Sequence, residues 1–343
     1  MKGFWAAFRL VTVVSLLAVT LALAAGSGYH VTKSYKLGGE GGWDYLTFDA
    51  SSNRLFISRA THVIVLDMDS GRPVGDIPDT PGVHGIALAP ELNRGFISNG
   101  REGTVTIFDL SSLKALSKVK AGENPDAIIY DRVTKRVFAF NGRSHDATAI
   151  DAEKDTVAGT IKLDGKPEFA VSDEKGEIFV NIEDKSKMAA IDANKLQVKA
   201  VWPLAPCEEP SGLAMDRKNR RLFSGCSNKL MAVVNADSGK VITTVPIGGG
   251  VDANRFDPET QFAFASCGEG VLTVVHEDSP DKFIVVENVP TKRGARTMAL
   301  NPGTHEIYLV TADFGPAPAP TADQPHPRPA ILPDSFVVLV AGR

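Results

Sequence analysis

Short segments in which apolar and polar residues alternate recur along the chain. The clearest covers residues 54–58 (Arg-Leu-Phe-Ile-Ser), and an apolar run at 63–67 is followed by a turn at 69–71. Alternation with a period of two is typical of β-strands, because successive side chains point to opposite faces of a sheet. Helical periodicity is almost absent, and Gly and Pro residues separate the segments. The pattern predicts an all-β protein.

These segments repeat at intervals of 40 to 44 residues. The aromatic residue of strand 54–58 marks the repeat, and its equivalents are Phe56, Phe96, Phe138, Phe179, Phe223, Phe264 and Tyr308. Four short strands within about 40 residues are typical of a propeller blade. In the first blade the strands are expected at 45–49, 55–58, 63–67 and 73–77. Seven markers therefore predict a seven-bladed β-propeller with four-stranded antiparallel blades.

The seventh repeat lacks its outer strand. Its inner, second and third strands are expected near 298–301, 306–311 and 336–340, and no further strand follows. Residues 30–37 alternate like a strand but precede the first blade. We expect this N-terminal strand to complete blade seven and close the ring, which leaves no sheet edge exposed between the first and last blades.

The first 25 residues are typical of a secretory signal peptide. Lys2 and Arg9 flank its start, residues 10–24 are apolar, and small residues near Ala24 offer a cleavage site. The alternative is an uncleaved anchor, but the apolar run is shorter than the roughly 20 residues that span a bilayer. The expected mature chain is a single propeller domain, residues 26–343, without a membrane span, in the periplasm or secreted.

Export makes the three cysteines relevant, because an oxidising compartment permits disulfides. Cys226 and Cys267 occupy equivalent places in neighbouring blades, which keeps them about one blade apart. Cys207 lies in the link into blade five, on the same face as the connection that begins at Cys226. We therefore expect a Cys207–Cys226 disulfide, with Cys267 as a thiol; the alternative is three free cysteines that pack as small apolar residues.

The repeats resemble the YVTN-type β-propeller repeats of YncE-like bacterial proteins, within the wider group of WD40-like repeats. The resemblance rests on strand 54–58, on residues 93–98 (Asn-Arg-Gly-Phe-Ile-Ser) and on residues 105–109 (Val-Thr-Ile-Phe-Asp), and it extends over the mature chain. It implies an exported propeller from a family without an established reaction. It does not imply a particular ligand.

A candidate site follows from the position of the markers. Propellers generally bind ligands over the central channel, and the residues twelve before each marker, or eleven in blade four, should form a ring at its entrance. They are Asp44, His84, Asp126, Glu168, Ser211, Asp252 and Arg296. Three interpretations stay open: the ring solvates the channel mouth, it binds a small ligand or protein partner, or its acids hold a divalent cation.

Further polar residues are expected on the same face. They are His62, His145 and His326 together with Arg59, Arg101 and Arg143. With the carboxylates of the ring they form a mixed surface that could recognise an anionic or zwitterionic partner. The face also receives a Pro- and Ala-rich insertion, residues 314–333, which is either a surface loop or a lid over the mouth. Trp43 and Trp202 could stack a ligand, although packing between blades is the commoner role of such residues.

Several functions have little support in the sequence. With 37 basic and 41 acidic residues, the formal charge of −4 gives no electrostatic reason to bind nucleic acid or an anionic membrane. The chain has no haem-attachment motif, no nucleotide-binding P-loop and no nucleophile elbow, and the pair at 276–277 (His-Glu) lacks the second histidine of a zinc protease. The sequence favours a monomeric binding or scaffold protein of the cell envelope over an enzyme. The alternative is a metal-assisted lactonase, lyase or hydrolase with its site at the channel entrance.

Overall fold

The structure, a computed structural model, describes residues 26–319, 327 and 329–343. The predicted signal peptide lies outside the described residues, as do residues 320–326 and 328 of the insertion. Among the described residues, no helix has the length and apolar character needed to cross a membrane.

Seven four-stranded antiparallel sheets follow one another around the channel, as predicted. The first strand, β1 (His30–Lys36), precedes blade 1. Blades 1 to 3 consist of β2 (Leu46–Asp49), β3 (Arg54–Arg59), β4 (His62–Asp67), β5 (Arg72–Ile77); β6 (Val83–Ala89), β7 (Arg94–Asn99), β8 (Thr104–Asp109), β9 (Ala115–Lys120); and β10 (Pro125–Asp131), β11 (Arg136–Asn141), β12 (Asp146–Asp151), β13 (Thr156–Lys162).

Blades 4 to 6 repeat this order of inner, second, third and outer strand. They consist of β14 (Pro167–Ser172), β15 (Glu177–Ile182), β16 (Lys187–Asp192), β17 (Gln197–Pro203); β18 (Pro210–Asp216), β19 (Arg221–Cys226), β20 (Leu230–Asn235), β21 (Val241–Pro246); and β22 (Val251–Asp257), β23 (Phe262–Cys267), β24 (Val271–Ser279), β25 (Lys282–Pro290). Two short 3₁₀ helices, Pro90–Leu92 and Glu183–Lys185, lie in connections.

Blade 7 is completed by the N-terminal strand, which confirms the predicted closure. Its own strands are β26 (Met298–Leu300), β27 (Ile307–Thr311) and β28 (Val337–Gly342), and β1 pairs antiparallel with β28. His30 lies opposite Gly342, and Lys36 lies opposite Val337. The preceding Tyr29 is buried and donates a hydrogen bond from its hydroxyl to the carbonyl of His305 at 2.7 Å.

The core lies between blades. All seven marker aromatics are buried, with at most 2% of their surface exposed. Phe56 of blade 1, for example, packs 5.9 Å from Phe108 of blade 2, measured between ring centroids. Each marker thus fills the space between two sheets, which explains why a large apolar residue recurs at this position of the repeat.

Most turns after the third strands are held by the polar residues that end those strands. Asp67 Oδ1, for instance, accepts hydrogen bonds from the backbone N–H and hydroxyl of Ser70. Equivalent contacts are made by Asp109, Asp151, Asp192 and Asn235. His276 differs because it lies within the longer β24 and pairs with Asp278 at 2.6 Å. These side chains stabilise local turns by capping backbone groups.

A disulfide joins Cys207 and Cys226, the pair expected from the sequence, with Cα atoms 5.5 Å apart. Cys267 is a buried thiol. Burial raises the pKa of Cys267 to about 12, so the group stays protonated and unreactive at neutral pH. The glycine at position 248 lies beside it: a Cβ atom placed there would stand 2.9 Å from Cys267 Cβ.

Candidate functional site

The seven ring residues lie at the same ends of the inner strands, around the channel mouth. In blades 2 to 6 each follows the first residue of its strand, where the pairing with the second strand shifts register. In blade 3, for example, Pro125 pairs with Asn141 and Ile128 with Ala139, so the inner strand carries one extra residue. Such β-bulges reorient side chains beside functional sites. Here the bulged segment contains the ring residue Asp126.

His84 stands between two carboxylates of the ring. Its Nδ1 atom lies 2.6 Å from Asp44 Oδ2 and 3.7 Å from Asp126 Oδ1. One potential ligand atom from each of these three residues lies within 4.8 Å of the other two. The same three groups can therefore form a charged hydrogen-bonded triad or converge on a cation.

Arg296 connects the other side of the ring. Its Nε atom lies 3.0 Å from Asp252 Oδ2, and its Nη2 atom lies 3.9 Å from Asp44 Oδ1. The hydroxyl of Ser211 donates to Asp252 Oδ1 at 3.1 Å. Asp44 therefore joins the two halves of the ring, with His84 on one side and Arg296 on the other.

Two charged residues at the mouth were missed by the sequence analysis. Lys166 Nζ lies 2.6 Å from Glu168 Oε1 and also pairs with Glu183. Lys166 is in the link just before β14, and Glu183 follows β15, outside the marker-based positions. With them, the part of the chain that the structure describes places five carboxylates and three potential cations at the mouth. The carboxylates are Asp44, Asp126, Glu168, Glu183 and Asp252, and the cations are His84, Lys166 and Arg296.

The backbone of the ring is fixed from neighbouring blades. Ser98 of β7 donates from its hydroxyl to the carbonyl of Asp126 at 2.5 Å, and Asn181 of β15 donates from its amide to the carbonyl of Ser211 at 2.9 Å. Thr297 donates in the same way to the carbonyl of Asp44 at 2.6 Å. The sequence does carry a signal for this layer, because Ser98 and Asn181 each stand two residues after a marker aromatic. These contacts hold the ring residues in register between blades.

The pKa values at the mouth are strongly shifted. Burial tends to lower the pKa of His84, but its hydrogen bond with Asp44 and the charge of Asp126 outweigh burial and raise the pKa to about 9. Burial, reinforced by neighbouring carboxylates, raises the pKa of Asp126 and of Asp252 to about 6 and that of Glu168 to about 8. The mouth thus favours bound protons, as expected where carboxylates outnumber cations.

These shifts predict that the protein loses stability as the pH rises from 6 to 9. The folded-state pKa values of His84 and Glu168 lie above the unfolded values of about 6.5 and 4.3, so protonation stabilises the folded state and is lost with rising pH. We expect a decrease in the free energy of unfolding on the order of a few kcal/mol, measured by urea denaturation. His84→Gln should flatten this dependence, whereas His30→Gln on the exposed N-terminal strand should not. A wild-type protein more stable at pH 9 than at pH 6 would contradict the assignment.

Three side chains meet in the channel beneath the ring. The ring centroids of Tyr45 from blade 1 and Phe169 from blade 4 lie 5.1 Å apart. The guanidinium of Arg255 from blade 6 lies over Phe169, 4.9 Å from its centroid. Burial lowers the pKa of Arg255 to about 10, which leaves it charged at neutral pH. A molecule bound at the mouth would therefore rest on an aromatic floor with one cation below it.

The expected surface arginines are not equivalent. Arg101 and Arg143 are exposed, but only 1% of Arg59 is accessible. Arg59 donates to the carbonyls of Glu40 and Gly41 at 2.7 and 2.8 Å, and its guanidinium lies 3.8 Å from the ring centroid of Phe336. The expectation that Arg59 is available to a partner is wrong. It stabilises the link into blade 1 from inside the protein.

Comparisons with known proteins find the fold of this chain in many solved structures. No protein-family model and no curated protein matches the sequence. Among solved structures, a chain of the Mitotic Checkpoint Complex is 14% identical with a TM-score of 0.73, and the match covers 100% of this chain and 99% of that one. Both this chain and that chain are β-propellers.

Two further structures show the same likeness. A chain of hydrazine synthase from Kuenenia stuttgartiensis is 14% identical, with a TM-score of 0.70 and coverage of 80% of this chain and 94% of that one. The RRP9 WD40 repeats are 9% identical, with a TM-score of 0.72 and coverage of 92% and 98%. At these identities the comparisons show the fold, a propeller scaffold like those of WD40 proteins, and leave the activity of this chain open.

Proposed function

We propose that this chain is an exported binding protein of the cell envelope that holds a small ligand or protein partner at its channel mouth. The signal-like sequence at residues 1–25 supports export to the periplasm or beyond. The resemblance of the repeats to YncE-like propellers supports the same compartment. One observation supports the position of the site: five carboxylates and three cations converge at the mouth, above an aromatic floor.

The excess of carboxylates indicates the charge of the ligand. His84, Lys166 and Arg296 each already contact at least one carboxylate, and the remaining negative charge is partly relieved by bound protons. An ammonium or guanidinium group can replace those protons and form charge-assisted hydrogen bonds with Asp126 and Glu168. The mouth therefore suits a cationic group, whereas the sequence suggested an anionic or zwitterionic partner for this face.

A second candidate function is metal-assisted hydrolysis or lyase chemistry. It rests on Asp44, His84 and Asp126, whose potential ligand atoms converge within 4.8 Å. Carboxylate oxygen and imidazole nitrogen are ligands for Zn²⁺ and Mn²⁺. His84 must be neutral to bind a metal, so such a cation would have to displace the proton that the two carboxylates stabilise on it.

The experiment that tests the proposed site compares an organic cation with divalent metal ions. Agmatine, which carries an ammonium and a guanidinium group, should raise the melting temperature of the wild-type protein. Asp126→Asn combined with Glu168→Gln keeps side-chain size but removes two charges, and it should weaken the affinity for agmatine about tenfold. The uncharged analogue 1-butanol should have no effect on either protein.

The matched control is Asp69→Asn combined with Glu259→Gln. It removes the same charge from exposed turns on the opposite face and should leave agmatine binding unchanged. Stabilisation by Zn²⁺ or Mn²⁺, lost in His84→Asn, would favour the second candidate. Equal agmatine binding by wild type and both double variants would place the cation site away from the mouth.

A further inference from the structure

A cavity of about 390 Å³ lies beside the mouth, between the links into blades 1, 6 and 7 and the base of the insertion. It is lined by Trp43, Phe314, Pro329 and Ile331, by Arg293 and Arg296, and by four glycines at positions 42, 250, 268 and 294. Small-molecule sites typically enclose roughly 300–1,000 Å³ and combine apolar walls with a few polar groups. The cavity has the size and lining for a ligand with one or two rings.

Its aromatic wall is held firmly. Phe314 packs against Trp43, with ring centroids 6.0 Å apart, and Trp43 packs in turn against Phe336 at 5.4 Å. The ring of Phe314 also lies against Gly294, whose φ is +82°; a Cβ atom there would approach the ring to 2.8 Å. Glycine is thus required both by the backbone and by this close contact.

The described base of the insertion fixes Phe314 from the other side. Phe314 and Ile331 form an antiparallel bridge. The N–H of Gly315 donates to the carbonyl of Ala330, and the N–H of Leu332 donates to the carbonyl of Asp313, both at 2.8 Å. The wall is therefore part of a small hydrogen-bonded ladder and is preorganised for a ligand.

The charges at the cavity are uneven. Arg296 is held by Asp252 at the mouth, and Lys292, next to the cavity, pairs with Asp313 at 2.8 Å. Arg293 makes no ion pair with any carboxylate of residues 26–319, 327 and 329–343. Its guanidinium lies 5.8 Å from the ring centroid of Phe314. A planar cation that pairs with no carboxylate of the described residues, at the edge of an apolar cavity, is suited to a carboxylate ligand.

We propose that this cavity binds an apolar, ring-containing carboxylate, with its rings against Trp43 and Phe314 and its carboxylate paired with Arg293. The site is separate from the cation site proposed at the mouth and shares only Arg296 with it. It does not depend on the proposed function, because neither Arg293 nor the aromatic wall belongs to the ring.

The test uses isothermal titration calorimetry with 2-naphthoate and its uncharged analogue 2-naphthamide. The wild-type chain should bind the carboxylate at least about tenfold more tightly than the amide, since a hydrogen-bonded ion pair distinguishes them. Arg293→Gln should remove this preference, and Arg293→Lys should restore part of it. Arg101→Gln, which changes an exposed arginine on the same face, should behave like wild type.

A blocking variant tests the position of the ligand. A Cβ atom at Gly42 meets nothing within 4 Å, so Gly42→Leu can extend into open space without disturbing the fold. It should abolish binding of 2-naphthoate while the melting temperature of the protein stays unchanged. Absence of 2-naphthoate binding, equal affinities for the two probes, or undiminished binding in both Arg293→Gln and Gly42→Leu would overturn the proposal.

Discussion

Removal of residues 26–37 should lower the free energy of unfolding on the order of 5 kcal/mol. The deletion takes away β1, which pairs with β28 along its length, and with it the buried Tyr29. Tyr29 packs edge-on against Phe262 and Phe264, at 6.1 and 5.2 Å between ring centroids. The loss therefore combines a ladder of hydrogen bonds, an aromatic cluster and a newly exposed sheet edge that can pair with other molecules.

Urea denaturation and light scattering measure the two parts of this effect. The truncated protein should unfold at a lower urea concentration than residues 26–343 and should aggregate more readily. A synthetic peptide of residues 26–37, added in trans, should restore part of the stability because it can pair with β28. Lys33→Ala changes an exposed residue of the same strand and should have little effect. A truncated protein with an unchanged unfolding midpoint would refute the closure mechanism.

Loss of the Cys207–Cys226 disulfide should cost about 3 kcal/mol of stability. The two residues are 19 positions apart, so the bond closes a loop of moderate length in the unfolded chain. Cys207→Ala combined with Cys226→Ala removes the crosslink without leaving an unpaired thiol at either position. We expect most of the loss to arise because the unfolded state gains conformational entropy.

Peptide mapping and urea denaturation check this prediction. Alkylation of the unreduced, unfolded protein should label Cys267 and spare the other two cysteines. Cys267→Ala keeps the disulfide and should reduce stability less than the double substitution. Reducing agent should destabilise the wild type and Cys267→Ala, but not the double variant. Labelling at Cys207 or Cys226, or equal stability of the double variant and the wild type, would contradict the pairing.

The fold could be predicted because each blade is a local unit with its own markers. The expected strand 45–49 differs from β2 (Leu46–Asp49) by one residue, and the expected closing segment 30–37 differs from β1 (His30–Lys36) by one. Period-two alternation and turn residues are properties of neighbouring amino acids, so they are visible in sequence. The closure of the ring could be predicted as well, because blade 7 lacked an outer strand and the segment 30–37 belonged to no other blade.

The functional site could be predicted only in part, because its contacts are not local in sequence. Equivalent positions placed Asp44 and His84 at the mouth, but the contacts between blades depend on residues far apart in the chain. Ser98 stands at a repeated position, but its partner, the carbonyl of Asp126, lies in the next blade, and Lys166 and Glu183 meet at positions outside the marker pattern. Arg59 was assigned to the surface because its position in the repeat is a loop, whereas Phe336 and the link into blade 1 cover it.

The buried thiol in blade 6 occupies the same position in its blade as one cysteine of the disulfide in blade 5. Gly248 and Cys267 stand in the same positions of blade 6 as Cys207 and Cys226 do in blade 5. A Cβ atom at position 248 would stand 2.9 Å from Cys267 Cβ, closer than the 3.5–4.5 Å of natural disulfides, so the link would have to shift outward to accept a side chain there. Blade 6 therefore contains only one of the two cysteines that form the crosslink in blade 5. In a ring of equivalent units, a crosslink can thus be present in one blade and absent from the next, because it depends on the residue at one position of the link.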